Sequence, residues 1–440
     1  MLPDFGFYNA TVKTHWSKRF GASHWDHGYG VAVDAKGNVF VTGDFEDYPA
    51  SFGGAKLTNA GDKDIFLAKF DAKGNHLWSK AFGSTGADVG RVVVVDAGGD
   101  VFLRGTFKNT LDLGGAKLTH AGTSVFVARL DGKTGKHLWS KRLEGLAVAG
   151  KTLAVDKTGD LLITGSFTGT AFYGGAPLNT AGGSDVFLLK LEGKTGKHVW
   201  SKRLCWKYTD AARGVTVDAA GNVVVIGFFT GTTHLGGKLL YSAGGQDIFL
   251  ARYNAKGKHL WSRRFGGKGG YDGFQCAVSA DAKGDLIIGG YVDAGVDFGG
   301  GVHPGGLFVA RLLGSTGAHV WSRGFATPGN AQGVAVAATP AGDALVTGLF
   351  GKKAQQFGGG VRPCAGKTDA FVLKLGAKWG QHLWSKAYGN KGMDSGGAVA
   401  VGPSGEAVVT GSFSHMVDFG NGPLTPVGKE SDVFLVKLGP

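Results

Sequence analysis

The apolar positions of this chain fall in short runs, and the runs recur. Four stand in order near the start: YGVAVD (29–34), NVFVTGDF (38–45), DIFLAKF (64–70) and HLWSKAF (76–82). They are rich in Val, Ile, Phe and Leu, the composition of strands. DAKGN separates the first two at 34–38 and the last two at 71–75. Asp, Gly and Asn so close together tolerate the left-handed backbone of a tight hairpin. No segment carries the apolar period of an amphipathic helix.

The same four runs come back along the whole chain. A Trp-Ser pair marks each copy, at Trp16, Trp78, Trp139, Trp200, Trp261, Trp321 and Trp384, in steps of 62, 61, 61, 61, 60 and 63 residues. Seven units of four antiparallel strands describe an all-β fold, a seven-bladed β-propeller. The chain begins with a lone Trp strand, VKTHWSKRF (12–20), and ends with DVFLVKL (432–438), whose Trp strand is missing. The N-terminal strand is therefore expected to complete the last blade, closing the ring and hiding both edges. One domain, 1–440, is expected. Its repeats run approximately over 21–83, 84–144, 145–205, 206–266, 267–326, 327–389, and 390–440 plus 1–20. The Trp strand would be outermost and the GVAVD-like strand innermost, where small residues suit the crowded axis.

Composition fits this picture. Apolar residues make up 43% of the 440, enough for a large core, and Gly reaches 80 without a collagen period. No apolar stretch is long enough for a membrane-spanning helix. The start, MLPDFGFYNA, does not read as a signal peptide. Cys205, Cys276 and Cys364 are widely spaced and odd in number, so neither a disulfide framework nor a zinc site is expected. The net charge of +13 favours anionic partners. Simple solubility is the competing reading.

GVAVDAKGNVFVTGDF followed by DIFLAKFDAKGNHLWSKAFG closely resembles the bacterial seven-bladed β-propeller repeat, SBBP. The resemblance covers all seven copies. It departs most at the first turn of blades five to seven, which read ADAKGD (280–285), ATPAGD (338–343) and GPSGE (402–406). Proteins of this kind are mostly secreted or surface-attached, and many have no assigned function. The resemblance implies a secreted or cell-surface scaffold with function on its loops.

Several residues recur with the repeat. His stands two before Trp in six copies: His76, His137, His198, His259, His319 and His382, with Thr14 in the first strand. A base follows Trp by two in all seven, from Lys18 and Lys80 to Lys386. The spacing of two puts His, Trp and this base on one strand face. The third strand adds Lys69, Arg129, Lys190, Arg252, Arg311, Lys374 and Lys437. Pairing Asp71 with His76 sets Phe70 opposite Leu77 and Lys69 opposite Trp78, a cation–π geometry. The bases read either as a blade-packing ladder, which is preferred, or as a ring for polyanions. Spread around the rim, they form no nucleic-acid groove. The histidines, one per blade, are too far apart to share a metal ion.

An Asp precedes the innermost strand at Asp26, Asp88, Asp210, Asp272 (offset by one) and Asp394, with Asn330 in blade six. These read either as local loop acceptors or as an acidic ring able to hold Ca²⁺. Aromatic-Gly-Gly or Leu-Gly-Gly at 52–54, 113–115, 173–175, 235–237, 298–300 and 357–359 marks a bend in the long second-to-third-strand loop.

Function is expected on the face where connectors differ between blades. Those of blade one (ASHWDHGYG, 22–30), blade four (CWKYTDAARG, 205–214) and blade five (GGKGGYDGFQC, 266–276) are rich in aromatic and polar groups. The candidate ligand-binding residues are Trp25, Asp26, His27, Trp206, Tyr208, Asp210, Tyr271 and Asp272. Aromatic faces beside Asp and His suit sugars, or simply anchor loops. Catalytic motifs are missing, and His24, Asp26 and His27 support an acid–base or metal site only weakly. The expected function is non-enzymatic binding or adhesion, with a glycan or other extracellular ligand. A protein-docking platform is the alternative, and an enzyme comes third. No cofactor is expected, and a monomer is.

Overall fold

The computed structural model describes residues 12–46, 49–145, 153–205, 207–270, 272–273, 275–293, 295–326, 332–351 and 353–440. They form seven four-stranded antiparallel sheets arranged as a seven-bladed β-propeller, and no helix occurs among them. Blade one consists of His27–Val33, Val39–Glu46, Lys63–Phe70 and His76–Phe82, in spatial order. Blade seven takes Ser395–Val401, Ala407–Phe413 and Asp432–Leu438 from the C-terminal end. Its fourth strand is Thr14–Phe20 from the N-terminal end. The pairing Ser17↔Val436 and Phe20↔Val433 closes the ring.

Hairpin chemistry explains the first turn. The Asp34 carboxylate accepts the backbone N–H of Lys36 and of Asn38, both at 2.9 Å, while Gly37 takes φ 81°. An Asp side chain thus replaces a backbone acceptor, as in an Asx turn, and Gly supplies the left-handed residue. Asp71 and Gly74 repeat the arrangement in the second hairpin.

The long second-to-third-strand segments, read from sequence as bent loops, are ordered hairpins. Blades two and four extend their second and third strands to Val101–Leu111 with Leu118–Leu130, and to Val223–Thr233 with Leu240–Tyr253. Blades three, five, six and seven instead carry separate two-stranded ladders, such as Val296–Asp297 with Val302–His303. The Gly pairs sit at the tips of these hairpins.

The core lies between blades. Phe40, Ile65 and Leu67 of blade one pack with Val93, Leu103 and Phe126 of blade two in one cluster. Phe45, Phe52 and Phe66 pack with Trp16, Phe20 and Leu435 across the seam between blades one and seven. Each sheet is covered on both faces. This accounts for the near-continuous apolar runs of the second and third strands, where every residue of Leu161–Phe167 and Asp185–Leu191 is buried.

Candidate binding site at the channel mouth

The recurring residues are framework. On the outermost strand of blade one, Lys69 pairs with Trp78 as expected, but Phe70 pairs with His76. Leu77 is therefore an extra, bulged residue and 49% exposed. A bulge shifts side chains by one position, so His76 does not share the Trp78 face. Its Nε2 instead meets Ser79 Oγ at 3.1 Å. The ring lies on the hairpin tip, where a Cβ at Gly54 would stand 2.4 Å from His76 Cε1. His137, His198, His259, His319 and His382 lie on their own Gly pairs in the same way. In blade seven Thr14 replaces His, and its hydroxyl donates to the Phe419 carbonyl at 2.7 Å. There the second Gly of the pair is Asn421.

The Lys69 ammonium does not stack on Trp78. It lies 4.7 Å from the Phe40 ring centroid and donates to the Gly132 carbonyl of the next blade at 2.7 Å. Trp78 Nε1 donates to the same carbonyl at 3.3 Å. Other third-strand bases are neutralised within their own blade. Arg129 meets Asp96 and Asp100, both at 2.9 Å. Lys190 meets Asp156 at 2.7 Å, and Arg311 meets Asp281 at 2.5 Å. Buried ion pairs of this kind are strongly destabilised by removing one partner. They leave these bases unavailable to a polyanion.

The connector carboxylates are also internal. Asp26, Asp210 and Asp272 are fully buried. Asp26 accepts the Ala22 N–H at 2.6 Å, Asp210 the Thr230 N–H at 3.3 Å, and Asp272 the Asp293 N–H at 2.9 Å. Burial, with Asp432 and Asp44 nearby, pushes Asp26 up to about 8 against the pull of the Ala22 bond. Burial lifts Asp88 and Asp394 to about 6. These groups brace connectors and, among the described residues, form no open acidic ring. Among the described residues, no group of three or more His, Cys, Asp or Glu is placed to hold a metal ion. Asn330 lies outside the described residues, as do Trp206 and Tyr271. Tyr208 is 44% exposed and packs over Gly231.

Two of the predicted residues lead to a site. Trp25 and His27 stack at 6.0 Å between centroids, with an interplanar angle of 5°. His27 stacks in turn on Tyr29 at 5.6 Å and 10°. The two stacks share the His27 ring, so the three rings form a ladder. Arg91 of blade two completes it, 4.4 Å from the Tyr29 centroid. His27 Nδ1 faces Asp44 at 3.4 Å, and Lys63 bridges Asp44 and Glu46 at 3.6 and 2.5 Å.

The ladder descends to the central channel, a space of about 730 Å³. Tyr29, Arg91 and Arg213 each sit in a bulge near the start of an innermost strand. They therefore line the connector end of the channel, with Gln275 beside them. Arg213 lies 5.0 Å from the Phe228 ring centroid. Below them the wall is aliphatic: Val31, Val93, Leu153, Val215, Val278, Val336 and Val399. Arg91 and Arg213 are the charged residues of the described lining. Behind Arg91, Arg104 is 1% exposed where four other blades carry Thr42, Thr164, Thr347 and Thr410. Burial and the charge of Arg91 lower the Arg104 guanidinium to about 10. Burial pushes the Cys276 thiol up to about 12, leaving it a neutral wall element.

Sequence reasoning missed Tyr29, Arg91, Arg213, Gln275 and Arg104. A signal was present. The third residue after the connector Asp reads Tyr29, Arg91, Arg213, Gln275 and Gly397 in different blades. That column varies inside otherwise repetitive strands.

Residues 15–44 match the beta-propeller repeat family, SBBP. A 307-residue stretch is 22% identical to an uncharacterized WD repeat-containing protein of Acanthamoeba polyphaga mimivirus. The match covers 63% of this chain and 18% of that protein, so this chain spans under a fifth of that relative's length. Among solved structures, BamB from Moraxella catarrhalis is similar at a TM-score of 0.43 and 13% identity, over 98% of this chain and 100% of that one. A protein of unknown function from Dyadobacter fermentans is similar at 0.46 and 11% identity, over 98% and 99%.

Proposed function

We propose that this propeller is a non-enzymatic binding module that recognises a protein partner through its connector face. The supporting observation is the concentration of departures from the repeat at that end. The Trp25–His27–Tyr29–Arg91 ladder runs from a connector into a cationic channel mouth. The opposite face carries near-identical hairpins, which give a partner little to distinguish. A rigid ring with variable loops at one end suits recognition. The WD repeat-containing relative is consistent with an interaction role. A glycan is the second reading. It rests on Trp25, whose indole is stacked by His27 and half-buried in a connector beside polar groups.

A photo-crosslinking residue placed at Tyr208 on the connector face, and separately at Lys36 on the hairpin face, tests the reading. A discrete protein adduct at position 208, lost in Trp25→Ala, is expected. Adducts confined to position 36 would overturn it. No adduct at either position, with saturable glycan-array binding that Trp25→Ala abolishes, would move the assignment to the glycan.

A further inference from the structure

We infer that the channel mouth is a binding site for a carboxylate carried on an aliphatic stem. The inference deepens the connector-face reading and rests on it. Its source would be either a small organic acid or the C-terminal end of a peptide.

A regular strand would point the third residue after the connector Asp along the sheet's own face pattern. The bulges re-aim it, and Tyr29, Arg91 and Arg213 reach the channel. In blade seven the same position is Gly397, where a Cβ would stand 2.3 Å from the Gly28 carbonyl oxygen. One part of the mouth is thus lined by guanidinium, phenol and carboxamide groups, and the part at blade seven is bare backbone. Among the described residues, the large donors come from blades one, two, four and five, and blade seven contributes Gly397.

Guanidinium groups offer planar N–H forks that match a carboxylate in bidentate fashion. Two of them line one cavity whose described lining carries no acid. Asp44 lies beside this ladder and faces His27, Lys63 and the Tyr29 hydroxyl. Below the donors, the walls are mainly Val, Ala and Leu side chains, with Cys276 and Ser279 among them. A volume of about 730 Å³, mostly apolar with a few convergent polar groups, is the build of a small-ligand pocket. Aliphatic walls beneath two cations call for a ligand with an anionic head and an apolar body. A polysaccharide, polar along its whole length, would leave the shaft unfilled.

The test is titration calorimetry of the full chain with sodium octanoate. Saturable one-to-one binding is expected, weakened roughly three- to fourfold for each methylene removed toward hexanoate. Octylammonium and 1-octanol are expected not to saturate. Arg91→Gln and Arg213→Gln should each weaken octanoate about tenfold or more, and Arg91→Lys less, because lysine keeps the charge without the fork. A hydrophobic heptapeptide with a free C-terminus, run against its amide, distinguishes the two sources. Octanoate binding that is unchanged in the Arg91→Gln/Arg213→Gln double variant, with a native melting transition, would overturn the proposal. So would octyl phosphate binding tenfold tighter than octanoate. Absence of carboxylate binding while Trp25→Ala still abolishes crosslinking would sink this inference alone and leave the connector-face reading standing.

Discussion

The Arg91 guanidinium lies 4.4 Å from the centroid of the Tyr29 ring, across the boundary between blades one and two. The contact joins the connector ladder to the channel wall. Cation–π contacts are worth about 0.5–2 kcal/mol, more when desolvated, and Tyr29 is mostly withdrawn from water. A double-mutant cycle of Tyr29→Leu and Arg91→Gln, read by denaturant unfolding, should give a coupling near the upper part of that range. Additive effects would mean that the two side chains are merely neighbours.

His76 and Gly54 make a second testable pair. A Cβ at Gly54 would press on the imidazole at 2.4 Å. Gly54→Ala should cost about 1–3 kcal/mol through overpacking. Blade seven carries the alternative solution, Thr14 with Asn421. The double variant Gly54→Asn/His76→Thr should therefore recover most of the loss. Failure to recover would show that the ring is not what excludes a side chain at that position.

The indoles yield a graded prediction. Trp139 Nε1 donates to the Gly193 carbonyl at 2.8 Å, and Trp321 Nε1 to the Ala377 carbonyl at 2.9 Å. Trp384 faces blade seven, where two chain ends replace the second hairpin, and its Nε1 has no hydrogen bond among the described residues. Trp139→Phe should lose about 0.5–1.5 kcal/mol more than Trp384→Phe, the net worth of one hydrogen bond. Equal losses by chemical denaturation would assign the indoles to packing alone.

Acidity should stabilise the connectors. Burial raises Asp26 to about 8, whereas an unfolded Asp titrates near 3.9. Between these values the folded chain holds a proton that the unfolded chain has released. Its contribution is complete below about pH 4 and is lost as pH rises through about 8. Asp88 and Asp394, raised to about 6, act with the same sign in a lower window. Asp26→Asn stays neutral at every pH. Its melting temperature relative to the parent should climb between about pH 4 and about pH 8 and level off above. A difference independent of pH would show that Asp26 is ionised in the folded protein.

Ring closure can be tested by deletion. Without Thr14–Phe20, the strand Asp432–Leu438 would become an open apolar edge. A chain lacking residues 1–20 should self-associate, since unpaired edges template further pairing. Light scattering reads the outcome, and a stable monomer would show that closure is dispensable.

Much of the architecture could be read along the chain because each blade repeats the same local instructions. DAKGN turns depend on Asp34, Gly37 and Asn38 alone, and the Trp-Ser period counts blades without reference to contacts. The Lys69–Trp78 register was also legible. The bulge at Leu77 was not, because an extra residue in a strand leaves no mark on composition. That single shift separated His76 from the Trp78 face and sent its ring onto Gly54. Outside blade one, the base of the third strand was likewise paired by the fold, with hairpin acids some thirty residues earlier, as Lys190 is with Asp156.

For the site, the sequence by itself determined that connectors differ and that Trp25 and His27 stand in one of them. It also determined the ring, the order of its strands and the strand that closes it, since these follow from local periodicity and turn chemistry. Only the tertiary structure decided that Tyr29, Arg91, Arg213 and Gln275 line one end of a channel. Those residues lie up to some 240 positions apart and come from four different blades. Side-chain convergence across a closed ring depends on bulges and on blade packing, and neither is encoded in any one repeat.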